Sequence, residues 1–175
     1  MHIRDKELDR LVKYAQGLGV KVTFKQIPPR KRNHDAATWS TDGAEIDVFV
    51  KPTTSKTSIV LSLIHELGHH LWFIYAKSRK PDLKFDEAIE IDNRDKPTPK
   101  KVRKKILDVE REGVKYWDTI IIDTDIKIPK WKIEKSKELD IWQYEHYYET
   151  SKFPTSNERE AKRKELDIKY RINYV

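Results

Sequence analysis

The segment that decides the fold runs from Ile59 to Tyr75 and reads IVLSLIHELGHHLWFIY. It is the most apolar window of the chain, and its apolar residues cover most of the circumference of a helix. We therefore predict a buried helix from about Ser55 to Lys77. The few polar residues inside it include two histidines one helical turn apart, so the segment is also the first candidate for a functional site.

The composition limits the class of protein. The chain has 175 residues, of which 37% are hydrophobic, 37% charged and 10% aromatic. This length fits one domain of about 100–200 residues, and the aromatic content is typical of a packed globule. The absence of cysteine excludes a disulfide scaffold, a Cys-ligated zinc finger, an iron–sulfur cluster and a cysteine nucleophile. With no recognisable signal peptide or membrane span, a soluble cytoplasmic protein is expected.

The residues before the apolar helix predict a helix and a small sheet. Apolar residues at helical spacing predict a first helix that ends at Gly17. Asp42-Gly43 is a hairpin turn signal between the second and third of three predicted strands. We expect a three-stranded sheet of antiparallel type packed on the apolar helix. If the third strand lies at the sheet edge beside a cleft, a substrate could add to it as a further strand. The alternating segments are Val20 to Ile27, Ala36 to Thr41 and Ala44 to Val50.

The residues after the apolar helix predict a helical second half. Lys80 to Pro99 mixes acids, bases and prolines and is predicted to be a loop insertion. The order of elements indicates an α+β fold. We expect a single domain over residues 1–175, with helix, sheet and metal helix in 1–79 and the helical part in 100–175. Helices are predicted from about Lys100 to Ile121, from Pro129 to about Glu149, and from the cap at Pro154–Asn157 to about Tyr170.

His65-Glu66-Leu67-Gly68-His69 carries the predicted chemistry. Two histidines at i and i+4 lie on one helical face, where both imidazoles can reach a zinc ion at about 2.0–2.1 Å. Glu66 lies off that row and could face a zinc-bound water, from which it would take a proton. Burying these polar groups is costly unless something such as a metal satisfies them. The motif therefore predicts a zinc metalloprotease site.

Two further residues, Gly68 inside the motif and His70 just after it, have structural explanations. His70 lies on another face of the helix, so we expect it to support the site or simply to pack. Glycine inside a helix costs about 1 kcal/mol relative to alanine, and close packing of Gly68 against a strand would explain its presence.

The third ligand has to come from elsewhere, because a catalytic zinc ion takes three protein ligands and leaves one position open. The chain has no cysteine and no histidine in Leu71 to Arg79, so a carboxylate from a later helix is expected. Two later glutamates, Glu110 and Glu158, each have a small residue three positions on. We favour Glu110, because its predicted helix has an apolar face able to pack on the metal helix. The alternatives are Glu158, Glu112 and the acids between Asp86 and Asp92.

These residues resemble the ImmA/IrrE-type zinc metallopeptidases of phages, mobile elements and bacteria. The resemblance rests on Ser62 to Leu71, SLIHELGHHL, and less specifically on Ile106 to Gly113, ILDVEREG. Family members carry a downstream glutamate followed three residues later by a small residue, usually alanine. The match places the third ligand at Glu110, with Gly113 in the small position.

The resemblance covers about Leu8 to Ile122 and implies more than the motif does. It implies a minimal zincin-like fold of gluzincin type, zinc-dependent endopeptidase activity, and cleavage of one dedicated protein, such as a repressor or another DNA-binding protein. A phage-encoded member would act in the host cytoplasm. The chain departs from the family where an aliphatic, alanine-rich stretch is expected, since Val114 to Asp118 reads VKYWD.

Peptide hydrolysis also needs a donor for the oxyanion besides the metal. Tyr144, Tyr147 and His146 lie on a later predicted helix from which a phenol or imidazole could reach the site. We take Tyr144 as the candidate. Aromatic packing between helices is the alternative for all three.

The basic charge supports a different class of function. The net charge is +7, and Arg30-Lys31-Arg32 and Lys100 to Lys105 form basic clusters, a pattern typical of nucleic-acid association. A solvated helical face explains the second cluster equally well. A further alternative is a partner-binding zinc module without proteolytic activity. Glu66 argues against that alternative, because holding zinc does not require it.

Overall fold

A computed structural model describes residues 6–27, 37–39, 44–52, 54–83 and 98–172. Their main-chain contacts group into two compact units. The first comprises residues 1–85 and 113–127, and the second comprises 86–112 and 128–175. The prediction of one domain stays a prediction. The elements are α1 Lys6–Gly17, β1 Lys21–Gln26, β2 Ala37–Trp39, β3 Glu45–Val50, α2 Lys56–Arg79, α3 Lys100–Val114, α4 Trp117–Thr124, α5 Lys130–Thr150 and α6 Ser156–Ile172.

The sheet of the first unit is mixed, with strand order β1-β3-β2. β2 and β3 pair antiparallel, with Trp39 opposite Ile46, as expected of the predicted hairpin, although the Asp42-Gly43 turn lies outside the described residues. β1 pairs parallel with β3, with Val22 beside Ile46. The prediction of a purely antiparallel sheet is therefore wrong. Alternation assigns the faces of a strand but not its direction, which its connections decide.

The third strand is central, so its predicted use as an edge for substrate addition is wrong. β3 pairs with β1 on one side and with β2 on the other, which occupies both of its hydrogen-bonding edges. Its predicted alternation is confirmed, because Ile46, Val48 and Val50 are buried. β1 is covered less well than expected, since Phe24 is 40% exposed.

The two long elements of the first unit follow the sequence pattern. α1 buries Leu8, Leu11 and Ala15, and Gly19 after it adopts a φ of +79°, which glycine tolerates without strain. In α2, the side chain of Ser55 caps the first turn by accepting a hydrogen bond from the Ser58 N–H at 3.1 Å. The helix has 24 residues and is therefore about 36 Å long. The prediction of a buried helix in this region is confirmed.

The predicted single helix from Lys100 to Ile121 is two helices. α3 ends at Val114 and α4 begins at Trp117. Between them, the Tyr116 N–H donates to the Gly113 carbonyl at 3.2 Å, a bond of the tighter type that commonly ends a helix. The break turns the chain so that Trp117, at 1% exposure, enters the core of the first unit.

In the second unit, α5 and α6 are linked by polar contacts along their length. Lys135 pairs with Asp167 at 2.5 Å, and Glu138 accepts from the Tyr170 hydroxyl at 2.9 Å. Leu166 is fully buried, so α6 has an apolar contact despite its charged sequence. Its predicted cap is confirmed, since the Thr155 N–H donates to the Glu158 carboxylate at 2.7 Å and the Glu158 N–H donates to the Thr155 hydroxyl at 3.3 Å.

Among the described residues, no helix combines the length and the apolar character that a membrane crossing requires.

Candidate metal centre

The two motif histidines face each other on α2. Nε2 of His65 and Nε2 of His69 are 3.1 Å apart. Their ring centroids are 4.6 Å apart, and the ring planes are inclined at 81°. Residues four apart lie one above the other on a helix, which explains this arrangement. The pair therefore presents two imidazole nitrogens to one point beside the helix.

The ring of His69 lies against the backbone of α3. A Cβ atom at Gly113 would be 2.7 Å from Nδ1 of His69 and 2.9 Å from its Cε1. A Cβ atom at Gly68 would be 2.5 Å from the carbonyl oxygen of Gly113 and 3.2 Å from Cδ1 of Trp117. The prediction that Gly68 packs against a strand is therefore wrong, because its neighbours are α3 and the first residue of α4. Two glycines permit this close approach because neither carries a Cβ atom.

Glu110 lies one turn before Gly113 on the same helix. Its side chain is 8% exposed, and Leu107 and Val109 beside it are also buried. Within the second unit, α3 is fixed to α5 by the pair Arg111–Glu145 at 2.7 Å and by a hydrogen bond from Arg103 to the Tyr147 carbonyl at 3.1 Å. The position of Glu110 is thus set by α3, a continuous helix held by its own contacts.

One group of metal-ligating side chains stands out among the described residues: His65, His69 and Glu110. Each offers one ligand atom, and these atoms all lie within 4.8 Å of one another. The group is formed by the three residues that the sequence predicts as ligands. Two imidazoles with one carboxylate form a donor set typical of catalytic zinc.

The spacing of the donors can be compared with that of a zinc site. Tetrahedral zinc with bonds of about 2.0–2.1 Å places its ligand atoms about 3.3–3.4 Å apart. The two Nε2 atoms, at 3.1 Å, are close to that spacing. The three ligand atoms together lie within 4.8 Å of one another, a wider limit than that spacing. The donors therefore fit a zinc ion in kind, and the two imidazole nitrogens also fit in spacing.

The other candidates for third ligand are placed differently. Glu112, on the same helix, is half-buried and outside the metal-ligating group. Glu158 is exposed and caps α6 through Thr155, whose hydrogen bonds hold the pKa of Glu158 below its usual value. The acids between Asp86 and Asp92 lie outside the described residues.

Two polar residues beside the motif histidines, Glu66 and His70, differ in surroundings. Glu66 is half-buried on α2, next to His65, and its proposed role as base stays a prediction. His70 is buried and meets the ring of Trp39 of β2 edge-on, at a centroid distance of 5.5 Å. The expectation of a packed histidine on another face is confirmed.

The candidates for oxyanion donor all lie on α5, in the second unit. The ring of Tyr144 meets that of Phe153 edge-on at 5.5 Å, and its role as donor stays a prediction. Tyr147 is buried, stacks on Phe153 at 4.5 Å, and shares a hydrogen bond of 2.8 Å with the Thr98 hydroxyl. His146 lies 5.8 Å from the ring of Trp142. Aromatic packing accounts for Tyr147 in particular.

The basic clusters can be described only in part. Arg30-Lys31-Arg32 lies outside the described residues. In the second cluster, Arg103 bonds to the Tyr147 carbonyl, as noted above. Lys100 lies 3.8 Å from Glu149, and Lys104 pairs with Asp108 at 2.7 Å. Internal partners therefore account for part of this cluster, and nucleic-acid association stays a prediction.

Trp117 is the residue near the candidate centre that sequence reasoning missed. Its ring lies 6.0 Å from that of His65. In the sequence, Trp117 is one of several apolar residues on a predicted long helix. No pattern connects it with a histidine far earlier in the chain.

Comparison of the chain with protein-family models, with curated proteins and with solved structures finds no match in any of the three.

Proposed function

We propose that this protein is a zinc-dependent endopeptidase that hydrolyses a peptide bond of a specific protein substrate. The observation that supports the proposal is the grouping of His65, His69 and Glu110 within 4.8 Å. Those residues come from two separate helices, and they include both histidines of a motif that also contains a candidate base. Metal ligands alone would support only a binding site; Glu66 extends the proposal to hydrolysis.

His65, His69 and Glu110 would hold the metal. When bound, zinc supplies Lewis-acid polarisation. Glu66 would take a proton from the attacking water and later deliver it to the leaving amine, so that one carboxylate serves first as base and then as acid. The proton taken from water thus ends on the new amino terminus, and the hydroxyl ends on the new carboxyl terminus. Tyr144 remains the proposed donor to the oxyanion.

An extended substrate would have to use a strand other than β3. β2 is a terminal strand of the described sheet, and it lies beside the metal helix, because Trp39 contacts His70 and Phe73 at ring distances of 5.5 and 5.6 Å. Its outer edge would accept a strand by main-chain hydrogen bonds. We therefore propose that an extended substrate pairs with β2.

The family relationship and its consequences belong to the same proposal. The resemblance to ImmA/IrrE-type metallopeptidases implies a zincin-like packing and a dedicated target, such as a repressor or another DNA-binding protein. It also implies a cytoplasmic site of action, in the host if the protein is phage-encoded. The close approach of Gly113 to His69 supports the resemblance, because the family has a small residue at that position.

A comparison of the wild type with Glu66→Gln tests the proposal. Both proteins, loaded with zinc, are incubated with a peptide library made from a bacterial proteome, and new termini are identified by mass spectrometry. We expect cleavage by the wild type and a loss of about 10²–10⁴-fold in the variant, with zinc content unchanged. Equal cleavage by both, or an unchanged biological effect of the variant, would favour the non-proteolytic zinc module instead.

A further assay tests the nucleic-acid alternative. Retention of the protein on DNA that weakens steeply as salt rises would support nucleic-acid association, because basic side chains displace counterions from phosphates. Absence of binding at low salt would remove it.

A further inference from the structure

The ring of His65 is bordered by two aromatic rings. Trp117 meets it at a centroid distance of 6.0 Å and an interplanar angle of 83°. His69 meets it at 4.6 Å and 81°. Edge-to-face contacts of this kind are a preferred arrangement of aromatic rings. The two contacts together restrict how the plane of the His65 ring can turn.

Trp117 is well fixed where it lies. Its side chain is 1% exposed, and it is the first residue of α4. Its Cδ1 would be 3.2 Å from a Cβ atom at Gly68, so the glycine provides the space that the indole occupies against α2. Buried side chains in close-packed interiors have little room to move. A rigid ring is therefore in contact with a half-exposed imidazole.

The two motif histidines are supported in different ways. His69 is buried and has the backbone of Gly113 against its ring. His65 is half-buried, and the ring of Trp117 contacts it from outside α2. A substitution at Trp117 removes the aromatic contact of His65 and leaves the glycine beside His69 in place.

We propose that Trp117 is a positioning residue of the metal centre, which holds the imidazole of His65 with its Nε2 turned toward Nε2 of His69. This inference rests on the proposed function, because it needs a metal at this site. A ring that is already oriented loses less freedom when it binds a metal, and groups that orient metal ligands raise affinity for that reason.

The test measures zinc affinity by competition with a chelator for the wild type, Trp117→Leu and Trp117→Phe. Leucine removes both rings of the indole, and we expect zinc to bind about tenfold more weakly. Phenylalanine keeps one ring, and we expect a smaller loss of about threefold, below the roughly 10–100-fold typical of residues that support ligands. The matched controls are Trp142→Leu and Trp142→Phe on α5, which should bind zinc like the wild type. Visible absorption of bound Co²⁺ should change in the Trp117 variants alone, since it reports ligand geometry.

The outcomes separate the two claims. A wild type that binds no zinc overturns both the proposed function and the role of Trp117. A wild type that binds zinc, with both Trp117 variants equal to it in affinity and in Co²⁺ spectrum, overturns the role of Trp117 alone. Circular dichroism and thermal unfolding identify a variant that fails to fold. If Trp117→Leu does not fold, Trp117→Phe is compared with Trp142→Phe instead. Equal zinc affinities and equal Co²⁺ spectra in those two variants would overturn the role of Trp117.

Discussion

Gly113 lies so close to His69 that a Cβ atom at position 113 would be 2.7 Å from Nδ1 of the imidazole. A contact that short essentially never occurs, so this orientation of the ring requires glycine. Gly113 is also one turn after Glu110 on α3, so a single stretch of helix provides both the space for one candidate ligand and the carboxylate of another. Gly113 therefore links the helix crossing to the candidate metal centre.

Gly113→Ala is expected to weaken zinc binding by about tenfold or more. Either the His69 ring rotates away from the added methyl group, or α3 shifts and takes Glu110 with it. Chelator competition measures the change in dissociation constant. Gly17→Ala is the matched control, because a Cβ atom there meets nothing within 4 Å, and it should bind zinc like the wild type. Wild-type affinity in Gly113→Ala would contradict the described crossing.

Tyr14 is expected to lose its proton at a higher pH than an ordinary tyrosine. Burial, aided by its hydrogen bond to Asp123 at 3.1 Å, raises the pKa of Tyr14 to about 12. Because the folded value lies above the unfolded value of about 10, its contribution to stability is full below about pH 10 and is lost as the pH rises toward about 12. Absorbance titration of tyrosinate should show one late group that is missing in Tyr14→Phe. The same late group in the variant would refute the assignment.

The cap of α6 is expected to weaken in acid. The Thr155 hydroxyl and the Thr155 main-chain N–H both donate to the Glu158 carboxylate. These bonds lower the pKa of Glu158, with the larger effect from the hydroxyl. A depressed folded pKa means that the stabilisation is present above the unfolded value and is lost as the pH falls through the folded one. The protection factors of the amides in the first turn of α6, which correct for the intrinsic pH dependence of hydrogen exchange, should fall at acid pH in the wild type. Glu158→Gln should remove this step, whereas Glu160→Gln should keep it.

The sequence contains enough information to predict that His65, His69 and Glu110 form one group. Spacing alone puts His65 and His69 on one face of α2, and the small residue after Glu110 correctly indicates a close helix approach. Local patterns of this kind are reliable because they depend on the geometry of one helix. The first helix and the extents of the three strands before α2 follow from sequence pattern too, with ends that differ by a few residues.

Features that depend on distant partners could not be predicted. The direction of β1 is set by its connection rather than by its residues. The end of α3 and the packing of Gly68 both depend on the contact with Gly113, which no single segment shows. The position of Trp117 follows from the break between α3 and α4, so its contact with His65 could not be predicted either. Tertiary contacts here override the local preference for one long helix.

The most direct test of the central claim is the zinc content of the purified protein after equilibration with zinc and removal of the excess, measured by mass spectrometry of the metal. We expect one zinc ion per chain in the wild type and in Glu112→Gln, and clearly less than one in Glu110→Gln, because among the described residues Glu110, and not Glu112, joins the two histidines. A wild type without zinc, or a Glu110→Gln variant that retains one ion per chain, would contradict the account.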